Sequence, residues 1–292
     1  MLWVLLICAF LAMPVAAVGQ KKENLTWTGC GITSKAFMAE CADAYQKQKG
    51  ITITLSGGGA TRGVRATASG LADLGGSCRP AKPDLSDEEK GIKMTHVAWD
   101  ALVLIVHPDN PINNLTTDQA SAIFKGKIRN WKDVGGKISP IKVVVRRGKI
   151  SGVGYMARNL LFNDPNFNFY PRAVSLKSSG PVEKTIERTE NAIAITGVSS
   201  AIKRKVKILR LNDLEPAKVN IISTKYPYFR PLYLMTRGEP TGEIRAFLDW
   251  ILSPVGQKLI SEQGTVNLEE GKDLFKKFKY WKHTDLIRNY PK

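Results

Sequence analysis

The sequence predicts an α/β fold with two lobes that share crossing strands. From about residue 24, short β-branched or aliphatic runs alternate with stretches of helical spacing, which is typical of an α/β domain. The fully apolar run Val103–Val106 leads directly into the turn-forming segment Pro108–Pro111, as expected for a buried strand that ends at a hinge. Because neither an internal repeat nor a low-complexity linker divides the chain, we expect interleaved lobes rather than two separate domains.

The predicted elements follow one another closely along the chain. The first part alternates strand and helix and ends at the approach to a third strand: Leu25–Thr28, Ser34–Lys47, Ile51–Leu55, Arg62–Ser69 and Leu71–Gly75. After the hinge, helices and strands alternate again: Asp118–Phe124, Ile141–Val145, Val153–Leu161, a helix after Pro181, and the strand Ala192–Ile195. A long return segment, Tyr228–Met235, is expected to run beside Ala101–Val106 at the hinge.

Composition limits the kind of protein that this chain can be. The 292 residues include 43 basic and 26 acidic side chains, which give a formal charge of +17, and 43% of the residues are hydrophobic. These values exclude a disordered tail, a collagen-like repeat and a multi-span membrane protein. The positive charge favours anionic partners such as phosphate, sulfate, polyanions or a membrane surface, without choosing among them.

The amino-terminal segment is predicted to direct export. Residues 2–18 form the only long uncharged apolar run, and Val15–Ala17 provides the small residues of a signal-peptidase site. No basic residue precedes the run, since the first lysines are Lys21 and Lys22, so an uncleaved anchor is the alternative. We therefore predict a signal peptide at residues 1–17 and a periplasmic or other extracytoplasmic location.

Three cysteines, Cys30, Cys41 and Cys78, follow the predicted signal. An odd number in an oxidising compartment allows one disulfide and one free thiol. Cys30 and Cys78 each come after a predicted strand, so they form either a disulfide or a pair of buried, unreactive thiols, whereas Cys41 is expected in the core. Because the sequence has no CxxC motif and its three histidines are scattered, we expect neither a metal site nor a cofactor.

Three glycine-rich turns each follow a predicted strand and begin a helix. They are Gly29–Thr33, Gly57–Gly63 and Arg146–Gly154. Such turns lie at the carboxyl ends of strands, where ligands bind, and the free N–H groups of a helix start attract an anion. Thr33 and Thr61 are placed to donate hydroxyl hydrogen bonds, and an arginine in the third turn supplies a permanent positive charge for an oxyanion. The turns match neither the dinucleotide-binding nor the P-loop spacing.

The chain resembles the phosphate-binding proteins of bacterial ABC importers, within the type II periplasmic binding-protein superfamily. Four blocks carry the resemblance: Gly29–Thr33, Ser56–Pro80, Ile123–Trp131 and Val143–Gly152. The resemblance implies two lobes, each a mixed sheet flanked by helices, joined by crossing hinge strands. Lobe one is expected to combine residues 21–106 with residues 226–292, and lobe two to contain residues 107–225.

The resemblance also implies that a single oxyanion is held between the lobes. By position, Thr33 is similar to the hydroxyl donor of the family's first loop, and Arg147 is similar to its charge partner. Ser151 and Gly152 are similar to the donors of the second lobe. We therefore expect Thr33 to face these three residues across a cleft.

Two positions of lobe one depart from the family's pattern. Ala60 stands where the family usually has a ligand-contacting serine, with Thr61 beside it, and Cys78 stands where it has an aspartate, followed by Arg79. A carboxylate at that place accepts the proton of phosphate and repels sulfate. We hypothesise that Asp100, at the start of the apolar crossing strand, takes this role instead; the alternative is a strand-end residue that faces solvent.

Together these expectations favour a binding protein rather than an enzyme. It would capture phosphate or a related oxyanion as a monomer, close by hinge motion, and present the closed form to the membrane permease subunits of an ABC importer. Nucleic acid is not an expected partner, because aromatic residues are not interleaved with the basic clusters. The alternatives are an oxyanion sensor or a binding protein for sulfate- or molybdate-type anions, an exported polyanion-binding module, and a thiol-dependent hydrolase that uses Cys30 or Cys78.

Overall fold

The computed structural model describes residues 24–81, 87–278 and 287–288. The predicted signal peptide, residues 1–17, lies outside the described residues. The strands are β1 Asn24–Gly29, β2 Thr52–Ser56, β3 Leu74–Ser77, β4 Ile92–Val106, β5 Asn114–Leu115, β6 Lys142–Arg146, β7 Val174–Leu176, β8 Ala192–Gly197, β9 Lys207–Ile208, β10 Arg210–Leu211, β11 Phe229–Arg237 and β12 Ile287–Arg288.

Helices connect most of these strands. They are α1 Gly31–Thr33, α2 Ala39–Lys49, α3 Ala60–Ala68, α4 Thr117–Phe124, α5 Gly152–Met156, α6 Ser179–Ile186, α7 Val198–Ala201, α8 Lys218–Ile222, α9 Gly242–Leu252, α10 Pro254–Glu262 and α11 Leu274–Lys277. A π-helical segment, Ser34–Met38, joins α1 to α2, and a second one, Ala157–Leu161, extends α5. Within the described ranges, no helix is both long and apolar enough to cross a membrane.

One long strand connects the two lobes. The main sheet has the order β2-β1-β3-β11-β4-β8-β6-β7, and β9 and β12 also pair with β4. Residues Ile92–Ala101 of β4 pair with β11, whereas Leu102–Val106 pair with β8. Strand β4 therefore runs from lobe one into lobe two, and its partner changes at residues 101 and 102. The predicted α/β class with crossing strands is confirmed.

The predicted pairing of the return segment, Tyr228–Met235, was wrong. Strand β11 runs antiparallel to Ile92–Ala101, and only its first residue, Phe229, is paired with Ala101. The expected partner, Ala101–Val106, instead pairs with β8 and β9 of lobe two. Neighbouring strands on both edges, with buried side chains on both faces, explain why Val103–Val106 is entirely apolar.

Other predicted elements are present with shifted ends. The helix expected over Ser34–Lys47 begins three residues earlier, at Gly31, where the side chain of Cys30 accepts a hydrogen bond from the Thr33 amide. The helix expected after Pro181 begins at Ser179, so the proline lies in the first helical turn, where its missing N–H group is not needed.

Candidate functional site

Two neighbouring strands of lobe one end in cysteines that lie together. Strands β1 and β3 are parallel, with Gly29 opposite Gly76, and the amide of Cys30 donates to the Gly76 carbonyl at 3.1 Å. Cys30 and Cys78 therefore follow adjacent strands at the same edge of the sheet. Both are buried, with 3% and 1% of their surface exposed, and neither is in a disulfide. The structure thus corresponds to two buried thiols rather than to a disulfide.

The Cys30 sulfur accepts a hydrogen bond from the Thr33 amide and lies beside the Thr33 hydroxyl, which donates to the Cys30 carbonyl at 2.9 Å. The amide of Thr33 donates to Cys30 Sγ at 3.4 Å, and Thr33 Oγ1 lies 3.2 Å from the same sulfur. Burial by itself raises the pKa of Cys30, but hydrogen bonds from Cys78 and Thr33 and the charge of Arg230 lower that pKa to about 7. The Cys78 pKa is raised, first by its hydrogen bond to Cys30 and then by burial. Cys30 is therefore the more acidic thiol of the pair.

A buried ion pair lies next to these cysteines and is hydrogen-bonded to the backbone of Cys78. Arg230, on β11, donates from Nη1 to the Cys78 carbonyl at 3.2 Å, and from Nε and Nη2 to Asp100 Oδ2 at 3.1 and 2.9 Å. Asp100 Oδ1 accepts from both the amide and the hydroxyl of Ser199, at 3.0 and 2.6 Å. Asp100 is 1% exposed.

The hypothesis for Asp100 needs correction. Both carboxylate oxygens of Asp100 already bind protein donors, so the side chain has no free oxygen directed at a ligand proton. It does not face solvent either. Its β4 position, opposite Arg230 on β11, instead makes it half of a salt bridge where the strands cross.

Lobe two places Arg146 opposite the cysteines. Arg146 is the last residue of β6 and is 8% exposed, and its Nη1 donates to the Leu176 carbonyl at 2.6 Å. A Cβ atom at Gly59, on lobe one, would lie 2.8 Å from Arg146 Nη2, so a larger residue there would obstruct the guanidinium. Burial lowers the pKa of Arg146, while the nearby Cys78 and Cys30 thiols oppose that shift.

The structure assigns the cleft position to Arg146 rather than to Arg147. Arg147 begins the turn after β6, and its side chain is exposed. Successive side chains at the end of a strand point to opposite sides, so only one of the two arginines reaches the cleft. The spacing to Ser151 predicted Arg147, but a spacing does not show which of two adjacent arginines is buried.

The other expected lobe-one residues contact the backbone of lobe two. Thr61 Oγ1 and Arg79 Nε both donate to the Ile150 carbonyl, at 3.2 and 3.0 Å. Arg79 also bonds the Pro80 carbonyl and lies 3.5 Å from Glu89, so its guanidinium is occupied within the protein. These two side chains hold the lobes together and do not present free donors to the cleft.

Small residues allow the lobes to approach closely. A Cβ atom at Gly152 would collide with Cys78 Sγ and lie 3.2 Å from the methyl group of Ala60. The Ser151 hydroxyl donates to the Gly148 carbonyl at 3.0 Å, and Ser151 is 5% exposed. Ser151, Gly152, Ala60 and Cys78 therefore meet at one place between the lobes. Their association was expected from the sequence, whereas the direct contact of Gly152 with a thiol was not.

The sequence did not single out several residues of this region. Arg230 lies on the return strand, far from the glycine-rich turns in sequence, and only a correct β4–β11 register brings it to the cysteines. Gly180, at the start of α6, lies close to α1, since a Cβ atom at Gly31 would be 3.8 Å from the Gly180 amide nitrogen. The run Ser178–Gly180 before Pro181 was the available signal for this second helix start.

The assembled cleft suits an anion. It combines the guanidinium of Arg146 with helix starts from both lobes, and the ion pair of Arg230 with Asp100 lies next to it. Among the described residues, no cluster of three or more histidine, cysteine, aspartate or glutamate side chains offers a metal site. His96, one of the three histidines, is buried among Trp99, Tyr233 and Phe275.

Comparisons with known proteins agree with this geometry. Residues 16–255 match a family model described as a PBP superfamily domain. The phosphate-binding protein PstS of Borreliella burgdorferi is 28% identical over 261 residues, covering 86% of this chain and 92% of the relative. The PstS protein of Bacillus subtilis is 26% identical over 261 residues, covering 88% and 85%.

A solved structure shows the same architecture. It is a substrate-binding protein from Clostridium perfringens, assigned to a phosphate ABC transporter and determined with bound phosphate. The TM-score is 0.74 at 27% sequence identity, and the alignment covers 84% of this chain and 99% of that chain. The family resemblance that four sequence blocks indicated is confirmed.

Proposed function

This chain belongs to the PBP superfamily, and we propose that it captures phosphate between its lobes as the substrate-binding protein of an ABC importer. Its relatives include phosphate-binding proteins, and the similar Clostridium perfringens structure holds phosphate. The observation that carries the proposal is the position of Arg146, a buried guanidinium directed at Gly59, which precedes α3 on the facing lobe. A guanidinium matches the geometry and charge of a tetrahedral oxyanion.

The cleft would act by binding alone. The lobes would separate by bending where β4 and β11 cross, admit the anion, and close with Gly152 against Cys78. The proposed permease subunits would then recognise the closed form, since the ligand favours it over the open one. This role requires an extracytoplasmic location, as predicted from the amino-terminal sequence.

A second candidate ligand is a fully ionised oxyanion such as sulfate or molybdate. The observation that favours it is the replacement of a ligand-facing carboxylate by thiols, with both oxygens of Asp100 already bonded. Without a carboxylate, the cleft loses both the best acceptor for a phosphate proton and the main source of repulsion toward sulfate. We therefore expect weaker discrimination between phosphate and sulfate than a carboxylate would provide.

Calorimetry on ligand-free protein tests the proposal. Phosphate, sulfate and molybdate are titrated into the wild type, Arg146→Gln and Arg147→Gln. A charged hydrogen bond contributes about 1.5–3 kcal/mol, so Arg146→Gln should weaken phosphate binding about 10- to 150-fold. Arg147→Gln removes the same charge from an exposed position and should change the affinity less than about threefold. Absence of phosphate binding to the wild type, or equal losses in the two variants, would disprove the proposed site.

A further inference from the structure

We propose that Cys30 and Cys78 form a dithiol site that binds trivalent arsenic, supplied as arsenite, in the same cleft. The two cysteines follow the adjacent parallel strands β1 and β3, and both are buried at the boundary between the lobes. Cys78 Sγ is also in contact with the position of Gly152 on the facing lobe. The pair therefore lies where a ligand enclosed by the lobes would touch it.

The backbone holds the two sulfurs in position. Cys30 and Cys78 follow adjacent parallel strands, and the Cys30 amide is bonded to the Gly76 carbonyl of β3. Arg230 fixes the other cysteine through the Cys78 carbonyl. Because both backbones are fixed before the ligand arrives, the second arsenic–sulfur bond forms at a high effective concentration of thiol.

The ligand exchange balances without any oxidant or reductant. Arsenite at neutral pH is the neutral hydroxide As(OH)₃. Each sulfur forms one bond to arsenic while one arsenic–oxygen bond breaks, and the departing hydroxide takes the thiol proton to leave as water. Two exchanges yield a bridged S–As(OH)–S group and two water molecules, and arsenic stays trivalent. The hydrogen bonds and the charge of Arg230 around Cys30 favour its thiolate, which is the attacking form.

The surrounding charge selects a neutral arsenic hydroxide over a soft metal cation. Arg146 lies close enough to the thiols to interact with them electrostatically, and the charge of Arg230 is balanced by Asp100, so the net positive charge beside the pair repels a cation. The described residues also offer no third histidine, cysteine or carboxylate ligand that would complete a metal site there. Two sulfurs with one retained hydroxyl group satisfy trivalent arsenic without a further protein ligand.

Arsenic on the thiol pair would occupy the lobe-one side of the cleft. Its third substituent would point toward lobe two, where Gly152 and Arg146 approach the cysteines. Arsenic and an enclosed oxyanion should therefore exclude each other. The arsenic site itself depends only on the two thiols, so it does not require that the cleft bind phosphate.

Sodium arsenite added to fully reduced protein, without oxygen or thiol reductant, tests this site. Arsenic retained after gel filtration is measured by mass spectrometry for the wild type, Cys30→Ser, Cys78→Ser and Cys41→Ser. Cys41 is the matched control because it is a buried cysteine on the apolar side of α2, away from the cleft. We expect one arsenic per chain in the wild type and Cys41→Ser, and at least a 100-fold weaker affinity in each of the other two. Circular dichroism verifies that every variant is folded.

Two further measurements distinguish a dithiol site from nonspecific uptake of arsenic. X-ray absorption at the arsenic edge should show two sulfur neighbours and one oxygen, and phosphate calorimetry on arsenic-loaded protein should show at least a tenfold weaker affinity. Oxidation of the pair to a disulfide beforehand should abolish arsenic uptake. The inference is overturned by absence of arsenic in the reduced wild type, by uptake in Cys30→Ser and Cys78→Ser equal to that of the wild type, or by a shell of oxygen neighbours alone. Arsenic uptake without phosphate binding would overturn only the proposed transport function.

Discussion

The two faces of the cleft differ in chemistry. The lobe-two face presents the Arg146 guanidinium and the starts of α5 and α6. The lobe-one face presents two thiols and the methyl group of Ala60, and its Thr33 donors are directed at Cys30. Attraction of an anion thus comes largely from lobe two. Lobe one determines whether the cleft has an acceptor for a proton on the ligand. Affinity and selectivity are therefore separable by substitutions on different lobes.

A buried carboxylate paired with an arginine lies behind each face of the cleft, but the two ion pairs are not equivalent. Beneath lobe one, the Asp100 and Arg230 side chains are both fully buried, and two nitrogens of Arg230 bind one carboxylate oxygen. Beneath lobe two, Glu183 accepts from Arg204 Nε at 3.0 Å and from Thr196 Oγ1 at 2.6 Å. The Arg204 side chain is 15% exposed, so water partly solvates this second pair.

The largest expected effect comes from breaking the lobe-one pair. Arg230→Met should lower the free energy of unfolding by about 3–5 kcal/mol, because it leaves the buried Asp100 carboxylate without its cation. The Cys78 carbonyl loses a donor as well. Urea denaturation followed by circular dichroism measures the change.

Arg204→Met is the matched control for that comparison. Glu183 keeps the Thr196 hydroxyl as a donor, and the partly exposed Arg204 is more easily replaced by water. We expect a smaller loss of about 1–3 kcal/mol. Equal destabilisation by the two substitutions would show that the two ion pairs contribute equally to stability, contrary to this expectation.

The fold was more predictable from sequence than the site. Alternating apolar runs and glycine-rich helix starts depend on local sequence, so they identified many of the strands and helices and the turns near the cleft, although α9, α10 and the first part of β4 were not predicted. The pairing of β4 with β11 is a contact between distant segments, and no local pattern specifies its register. The same limitation concealed Arg230 and the bonded state of Asp100.

The prediction that Arg147 lies at the cleft was wrong for a different reason. All residues from Val143 to Arg146 are buried, so the strand has no alternation of polar and apolar positions to show which side faces the cleft. Family spacing then favoured Arg147. For the cysteines, by contrast, the position of each after a predicted strand suggested that they approach each other, and the structure places both after the adjacent parallel strands β1 and β3. Which of the two is more acidic depends on hydrogen bonds that the sequence did not reveal.

The selectivity of lobe one is tested by restoring a carboxylate. Cys78→Asp should raise the ratio of phosphate to sulfate affinity about tenfold or more, because aspartate accepts the phosphate proton and repels sulfate. Cys78→Asn has nearly the same shape without the charge and should leave the ratio within about threefold of the wild type. Competition calorimetry near neutral pH measures both ratios. A matching rise in Cys78→Asn would attribute selectivity to shape rather than to the carboxylate.

The smallest expected effect concerns the pH dependence of phosphate binding. Burial alone would raise the pKa of Cys30, yet hydrogen bonds from Cys78 and Thr33 and the charge of Arg230 lower it to about 7. As the pH rises through this value, a growing fraction of the protein carries a negative Cys30 sulfur, which repels the ligand and competes for the Thr33 donors. Phosphate affinity of the reduced wild type should therefore fall between pH 6 and 8, by about three- to tenfold.

Cys30→Ser separates this effect from the ionisation of phosphate itself. Serine keeps a polar atom beside Thr33 but does not ionise in this range, and phosphate titrates identically with either protein. The charged or titratable neighbours, Cys78, Arg146 and Arg230, with Asp100 acting on Cys78, are the same in both. The ratio of wild-type to variant affinity should thus decline with rising pH, since only the wild type gains a negative charge. A ratio that stays constant from pH 6 to 8 would mean that Cys30 remains protonated and adds no negative charge to the cleft. The electrostatics of the cleft would then depend on Arg146 and on the paired charges of Arg230 and Asp100.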